Sequence, residues 1–216
     1  MPGETTHGND RLRVTVTQRA QLESFDSLIP VAPDSVIALY DRYPPERFYA
    51  RYGKQVNFVS ALIDSFNSTV GPAFAIDTLS IDHALERFGD AGQSGHMLFI
   101  SSSYFFLFND VHILRSVLTH EFGHIHYRML DSAALRSTDR LWNRLQEAAL
   151  FYLFRDGEYS GNAWFGGHPQ DNPSELYASA YNLVRNNPEE LRVRFSYVDT
   201  LHASLLRQVV DLVKQR

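Results

Sequence analysis

The sequence contains no cysteine among its 216 residues. A disulfide scaffold is therefore excluded, and so is a metal site with thiolate ligands. The 20 lysines and arginines are outnumbered by 25 aspartates and glutamates, which gives a formal net charge of −5. Because no basic run is present, the sequence does not predict a nucleic-acid-binding protein. No apolar run approaches the roughly 18 residues that a membrane span needs, so none is expected.

One short motif stands out from this ordinary composition. His120, Glu121 and His124 form the pattern HExxH inside a stretch with helical character. Histidines four positions apart lie on the same helix face, about 5–6 Å apart at Cβ, so both imidazoles can bind one zinc ion. Glu121 can then serve as the general base for a water that zinc activates. The motif therefore predicts a zinc metallopeptidase.

The apolar residues around the motif support a helix. They recur at steps of three and four, as in an amphipathic helix with one face towards the core: Leu114, Val117, Leu118, Phe122, Ile125 and Met129. A pattern with three fixed positions also arises by chance, and most histidines are not ligands. The helical context favours the zinc interpretation over a chance match.

The residues alone leave the third zinc ligand open. A catalytic zinc usually has three protein ligands and one open position. Three downstream candidates are Glu147 in a predicted helix, His168 in a loop, and Glu175 near the start of a further helix at Asn172. Each has a simpler interpretation: a surface glutamate, a loop histidine, and a capping-box glutamate after an Asn cap.

A family resemblance bears on this choice. The stretch from Asp171 to Val184 reads DNPSELYASAYNLV. It resembles the second metal-binding helix of the anthrax lethal factor-like metallopeptidases, which include the Pro-Pro endopeptidases. These gluzincins carry HExxH on one helix and a glutamate ligand on a second, in the pattern N-x-x-E-aromatic-aromatic-A. The resemblance covers about half of the chain, from His96 onwards, and implies that Glu175 is the third zinc ligand.

The chain departs from this family at two positions. Seven residues before the ligand the family has a tyrosine that would stabilise the oxyanion, and this chain has His168. The resemblance implies that His168 donates that hydrogen bond, with Tyr159 and Tyr177 as alternative donors. Four residues after the ligand the family has a second glutamate, and this chain has Ser179. How the ligands are supported by hydrogen bonds is therefore left open.

The predicted function is a zinc-dependent endopeptidase that acts on a peptide or protein substrate. His120, His124 and Glu175 would bind Zn²⁺, with Glu121 as the general base and His168 as the oxyanion donor. One alternative is a zinc protease with His168 as the third ligand. Another is a non-catalytic or latent zinc-binding domain that acts through protein binding. Glu121 argues against a purely structural site, which needs no general base.

The expected fold is α+β and helix-dominated, with the zincin-like architecture that the resemblance implies. A small twisted sheet, packed on the HExxH helix, is predicted from Leu12–Thr17, Phe74–Leu79 and His96–Ser101. The last of these is either an edge strand that pairs with a peptide substrate or an ordinary interior strand. Gly89–Gly95 is predicted to be a turn. After the HExxH helix, Thr138 or Asp139 is expected to cap the next helix.

Residues 1–10 are polar and lack the apolar core of a signal peptide, so they are predicted to be a disordered tail. Residues 11–216 are predicted to form a single zincin-like catalytic domain, with an N-terminal subdomain at 11–90 and a metal-binding half at 91–216. Without a visible signal peptide, the chain is expected to be cytoplasmic or exported by another route. A monomer is the default expectation.

Overall fold

The computed structural model describes residues 12–17, 34–83, 91–106, 111–160 and 163–214. The predicted tail at residues 1–10 lies outside these ranges. The chain divides into two compact units, Met1–Arg115 and Ser116–Arg216. Helices dominate the described residues, together with a small mixed sheet, which confirms the α+β class. None of the helices in these ranges is both long and apolar enough for a membrane crossing.

The first unit contains a four-stranded sheet. Its strands are β1 (Arg13–Val16), β2 (Thr78–Asp82), β3 (Ala91–Ser94) and β4 (Met97–Ser101). They lie in the order β1-β2-β4-β3; β2 is parallel to both β1 and β4, whereas β3 is antiparallel to β4. The first and last predicted strands are confirmed. The middle strand begins at Thr78, later than predicted, and continues to Asp82.

Three helices accompany this sheet among the described residues of the first unit: α1 (Asp34–Arg42), α2 (Pro45–Asn67) and α3 (Ser103–Phe106). Proline suits the first position of α2, because the amide hydrogen that it lacks would have no helical partner there. The Tyr49 hydroxyl donates to the Val14 carbonyl at 3.2 Å. The Asn67 side chain donates to the Ile76 carbonyl at 2.7 Å and accepts from its amide at 2.8 Å. These bonds tie α2 to β1 and to the segment before β2.

Two expectations about the sheet are wrong. Within the predicted turn at Gly89–Gly95, residues 91–94 instead form β3, in which Gly92 pairs with Phe99 of β4; Gly95 does lie in a turn, and residues 89 and 90 lie outside the described ranges. A Cβ on Gly92 would lie 2.4 Å from Phe99 Cζ, so the ring covers the glycine and supplies the packing that glycine itself lacks. Because β4 pairs with both β2 and β3, it is an interior strand, and the edge-strand interpretation of this segment is wrong.

The second unit is mainly helical. Helix α4 (Val111–Arg128) enters it at Ser116. Its other elements follow in chain order: α5 (Ser132–Glu147), a 3₁₀ turn (Phe151–Phe154), the hairpin strands β5 (Glu158–Ser160) and β6 (Ala163–Phe165), α6 (Pro173–Asn186), α7 (Pro188–Phe195) and α8 (Thr200–Lys214). Helix α6 contacts α5, α7 and α8, and every residue from Leu176 to Leu183 is buried. It is the central helix of this unit.

The start of α5 differs from the prediction. The Asp131 carboxylate accepts hydrogen bonds from the amides of Ala133 and Ala134 at 3.0 and 2.9 Å, so Asp131 is the N-cap. The predicted caps, Thr138 and Asp139, lie inside the helix. The Thr138 hydroxyl bonds back to the Ala134 carbonyl at 3.0 Å, as a threonine in a helix interior can.

Candidate metal centre

Three predicted ligands come together in the second unit. His120 and His124 lie on α4, and Glu175 lies in the first turn of α6. One ligand atom from each residue lies within 4.8 Å of the other two, and this group could hold a metal ion. Glu175 Oε2 lies 3.2 Å from His120 Nε2, and Oε1 lies 3.3 Å from His124 Nε2. The carboxylate thus faces both imidazoles.

The start of α6 places this carboxylate. Asn172 caps the helix, and its side chain accepts from the Glu175 amide at 3.0 Å. Pro173 occupies the first turn, as the sequence predicts. The simpler interpretation of Glu175 was a capping-box residue. Its backbone does take part in the cap, while its side chain contacts the two histidines.

Gly123 lets the two helices approach closely. A Cβ at this position would lie 2.6 Å from the Ala178 Cα and 3.1 Å from the Ala178 carbonyl oxygen. Both of these atoms belong to the backbone of α6. A glycine in the middle of the HExxH motif is therefore required by the distance between α4 and α6.

Asp156 supports the first histidine. This residue follows the 3₁₀ turn, and its Oδ2 lies 3.0 Å from His120 Nδ1. Its side chain is completely buried. Because an ionised carboxylate only accepts hydrogen bonds, Nδ1 of His120 carries the proton. Once Nε2 has lost its own proton, this tautomer directs the Nε2 lone pair towards Glu175, which is the arrangement that a metal ligand needs.

Other groups complete the hydrogen bonds of Asp156. Asn182 Nδ2 donates to Oδ2 at 2.7 Å, and the Gly167 amide donates to Oδ1 at 3.0 Å. Asn182 also donates to Ser116 Oγ at 2.8 Å. Arg194 donates to the carbonyls of Leu153 and Arg155 at 3.0 and 2.7 Å and so holds the chain just before Asp156.

The second histidine has a support of its own. His124 Nδ1 lies 2.9 Å from Ser174 Oγ, on the first turn of α6. In both histidines Nδ1 therefore has a partner while Nε2 faces Glu175. The side chains of His120, His124 and Glu175 are 10%, 18% and 24% exposed, so the group is sheltered but still reaches solvent.

The charges of the group are strongly coupled. Burial by itself would lower the pKa of His120, but Asp156 and Glu175 outweigh it and hold this pKa well above its usual value. Burial would raise the pKa of Glu175, but the hydrogen bonds and charges of the two histidines lower it far below the usual range. The metal-free group is thus an ion-paired cluster, and a metal must displace a proton from His120.

Glu121 is buried beside the ligands. Burial, followed by the charges of Glu175 and Asp156, raises its pKa, although both histidines act in the opposite direction. A raised carboxyl pKa brings a glutamate closer to the range in which it can accept a proton and return it.

None of the remaining candidates whose side chains the structure describes is part of this group. Glu147 is exposed at the end of α5, and His168 is exposed three residues beyond the hairpin. Neither belongs to a potential metal group among the described residues. Tyr177 is buried and packs against Tyr127 and Tyr181; two positions after Glu175, it points to another face of α6. The side chain of Tyr159 lies outside the described part of the chain.

Sequence reasoning missed four contributors: Asp156, Gly167, Ser174 and Asn182. One signal was available for Asn182. Glu175, Ser179 and Asn182 form a polar stripe at i, i+4 and i+7 on a helix whose surroundings are apolar. No comparable pattern marks Asp156, which lies in an irregular segment.

The donor set suits a divalent metal ion. Two imidazoles and one carboxylate, with no thiolate, are the ligands of one common type of catalytic zinc site. The buried carboxylate behind His120 is the usual support of such a ligand. No protein-family model, curated protein or solved structure matches this chain. The resemblance to the lethal factor-like metallopeptidases therefore stays a prediction.

Proposed function

We propose that this chain is a zinc-dependent endopeptidase with a zincin-like fold. The observation that supports it best is the convergence of His120, His124 and Glu175, whose ligand atoms lie within 4.8 Å of one another. Two of these residues belong to HExxH, and the motif's glutamate is buried next to them. The hydrogen-bonded carboxylate behind His120 is an independent feature in favour of a metal.

The three ligands would hold Zn²⁺ through His120 Nε2, His124 Nε2 and the Glu175 carboxylate. When bound, zinc supplies a Lewis acid that polarises a carbonyl group and lowers the pKa of water. The partial exposure of the three side chains leaves this group open to a substrate.

Glu121 supplies the proton transfers. Its raised pKa suits a base that takes a proton from the attacking water and then returns it to the leaving amine. Its burial limits competing hydration of the carboxylate and strengthens its interactions with charges that develop nearby.

His168 is the proposed donor to the oxyanion. It directly follows Gly167, and a Cβ added to that glycine would lie 2.3 Å from His120 Cε1. The His168 backbone is therefore close to the first ligand, and its side chain is exposed. A histidine that donates to the developing negative charge stabilises the transition state more than the ground state.

The test is cleavage of a peptide library by the zinc-loaded chain, with products identified by mass spectrometry. Glu121→Gln should keep its zinc and lose about 10²- to 10⁴-fold in rate, the usual contribution of a general base. Undiminished cleavage by this variant, or no cleavage by the zinc-loaded wild type, would contradict the proposal.

Zinc content identifies the third ligand. Glu175→Gln should lose zinc affinity, whereas Glu147→Gln is a matched control that removes an exposed glutamate and should keep it. His168→Ala should keep zinc and lose rate. If His168→Ala loses zinc while Glu175→Gln retains it, His168 is the third ligand instead.

A further inference from the structure

The space beside Nδ1 of His120 is built from residues of three different segments. Asp156 follows the 3₁₀ turn, Gly167 follows the hairpin, and Ser179 and Asn182 lie on α6. We propose that Asp156 is a positioning residue for the metal site, because its carboxylate orients His120 from the loop. Position 179 of α6 borders the same space but carries a serine, so it supplies no carboxylate there. This inference rests on the proposed zinc site.

The hydrogen bonds of Asp156 leave it one orientation. Oδ2 accepts from His120 Nδ1 at 3.0 Å and from Asn182 Nδ2 at 2.7 Å, while Oδ1 accepts from the Gly167 amide at 3.0 Å. The Asp156 carbonyl also accepts from Ser116 Oγ at 3.3 Å. With both side-chain oxygens and the carbonyl engaged, the carboxylate fixes the plane and the tautomer of the His120 ring.

Small side chains make room for this carboxylate. A Cβ on Gly167 would lie 2.3 Å from both His120 Cε1 and Ser179 Oγ, and 2.6 Å from Asp156 Oδ1. The three side chains therefore surround one small space, and Ser179 is completely buried in it. A side chain at position 167 would therefore collide with Asp156, with Ser179 or with the histidine.

Position 179 borders the same small space beside Gly167 as the histidine and Asp156. Glu175, Ser179 and Asn182 share one face of α6, on which Glu175 contacts His120 and Asn182 donates to Asp156. An aspartate at 179 would extend beyond the present Oγ into the space that the Asp156 carboxylate occupies. The two carboxylates are thus alternatives, because two buried like charges at this distance repel each other.

This arrangement makes a specific prediction for paired variants. Ser179→Asp should weaken zinc binding when Asp156 is present. The same change should strengthen zinc binding when Asp156 has been replaced by alanine. A residue that only fills space would give the same direction of effect in both backgrounds.

Asp156→Asn tests the tautomer with little change in volume. The amide offers one acceptor oxygen to three donors, so either a bond is lost or His120 moves its proton to Nε2, where the metal binds. We expect zinc affinity to fall about 10- to 100-fold. Asp199→Asn is the matched control, since Asp199 pairs with His202 Nδ1 at 2.7 Å on the surface and should not affect zinc.

The experiment measures zinc dissociation constants of the full chain by competition with a chelator, and the melting temperature of each metal-free variant. Weaker binding by a folded Asp156→Asn, together with tighter binding by Asp156→Ala/Ser179→Asp than by Asp156→Ala, supports the inference. Wild-type affinity in a folded Asp156→Asn, or no gain in the double variant, overturns it. A wild type that binds no zinc contradicts the proposed function as well.

Discussion

Replacing Gly123 by alanine would test the distance between α4 and α6. The added Cβ would lie 2.6 Å from the Ala178 Cα, whereas carbon atoms in contact are about 3.5–4.0 Å apart, so the backbones must separate by about 1 Å. Overpacking of this kind costs about 1–3 kcal/mol. Alanine recovers about 1 kcal/mol through its higher helix propensity. The expected net loss is up to about 2 kcal/mol in the free energy of unfolding.

The same separation should weaken zinc binding. Ala178 lies three residues after Glu175 on α6, so a shift of this helix moves the carboxylate away from the two histidines. Ligand distances in metal sites tolerate changes of only about 0.2 Å. A displacement several times larger should therefore lower the affinity even in a folded variant.

The assay is urea unfolding followed by circular dichroism, with zinc affinity measured in parallel. Gly53→Ala is the matched control, because it also adds a methyl group inside a helix but meets nothing within 4 Å. It should raise the free energy of unfolding by up to about 1 kcal/mol and leave zinc affinity unchanged. If Gly123→Ala is as stable as the wild type and binds zinc equally well, the close approach has been overestimated.

Two further predictions concern stability alone. Asp131→Ala removes the N-cap of α5 and should cost about 1 kcal/mol in urea unfolding with zinc affinity unchanged; an unaltered midpoint would contradict the assigned cap. Burial lowers the pKa of His83 and outweighs the opposing effects of the Tyr43 carbonyl and Asp82. Below about pH 6.5 the unfolded chain therefore binds a proton more readily than the folded one, and stability falls as the pH falls towards the folded pKa. Thermal melts between pH 5 and 8 should show that the melting temperature falls less towards acid pH in His83→Gln than in the wild type. Equal dependence of the melting temperature on pH in the two proteins would refute this.

The two histidines of the candidate metal group could be predicted because they follow a local rule. The i, i+4 spacing of His120 and His124 depends only on helix geometry, and Asn172-Pro173 marks the start of α6 at the sequence level. The helix signal alone left Glu147, His168 and Glu175 open, and the family resemblance selected Glu175, which the structure brings together with the two histidines. The helix-dominated α+β class followed from the same kind of periodic pattern.

Other features depend on contacts between distant residues. Asp156 reaches His120 only because the 3₁₀ turn and Arg194 place its backbone there, and no local pattern encodes that contact. Strand β3 was missed because Gly92 reads as a turn residue until Phe99 is known to lie across from it. The cap of α5 was placed too late because several residues near its start can cap a helix, and only the amide partners of Asp131 decide between them.

The bond between Gly167 and Asp156 has a consequence for the hairpin between them. It joins Asp156, before β5, to Gly167, after β6, and both residues lie next to the His120 side chain. The entropic cost of a longer loop grows slowly, by about 0.6 kcal/mol for each doubling of its length. Because the two ends are joined by their own hydrogen bond, we expect a change in the length of the intervening segment to leave the geometry beside His120 in place.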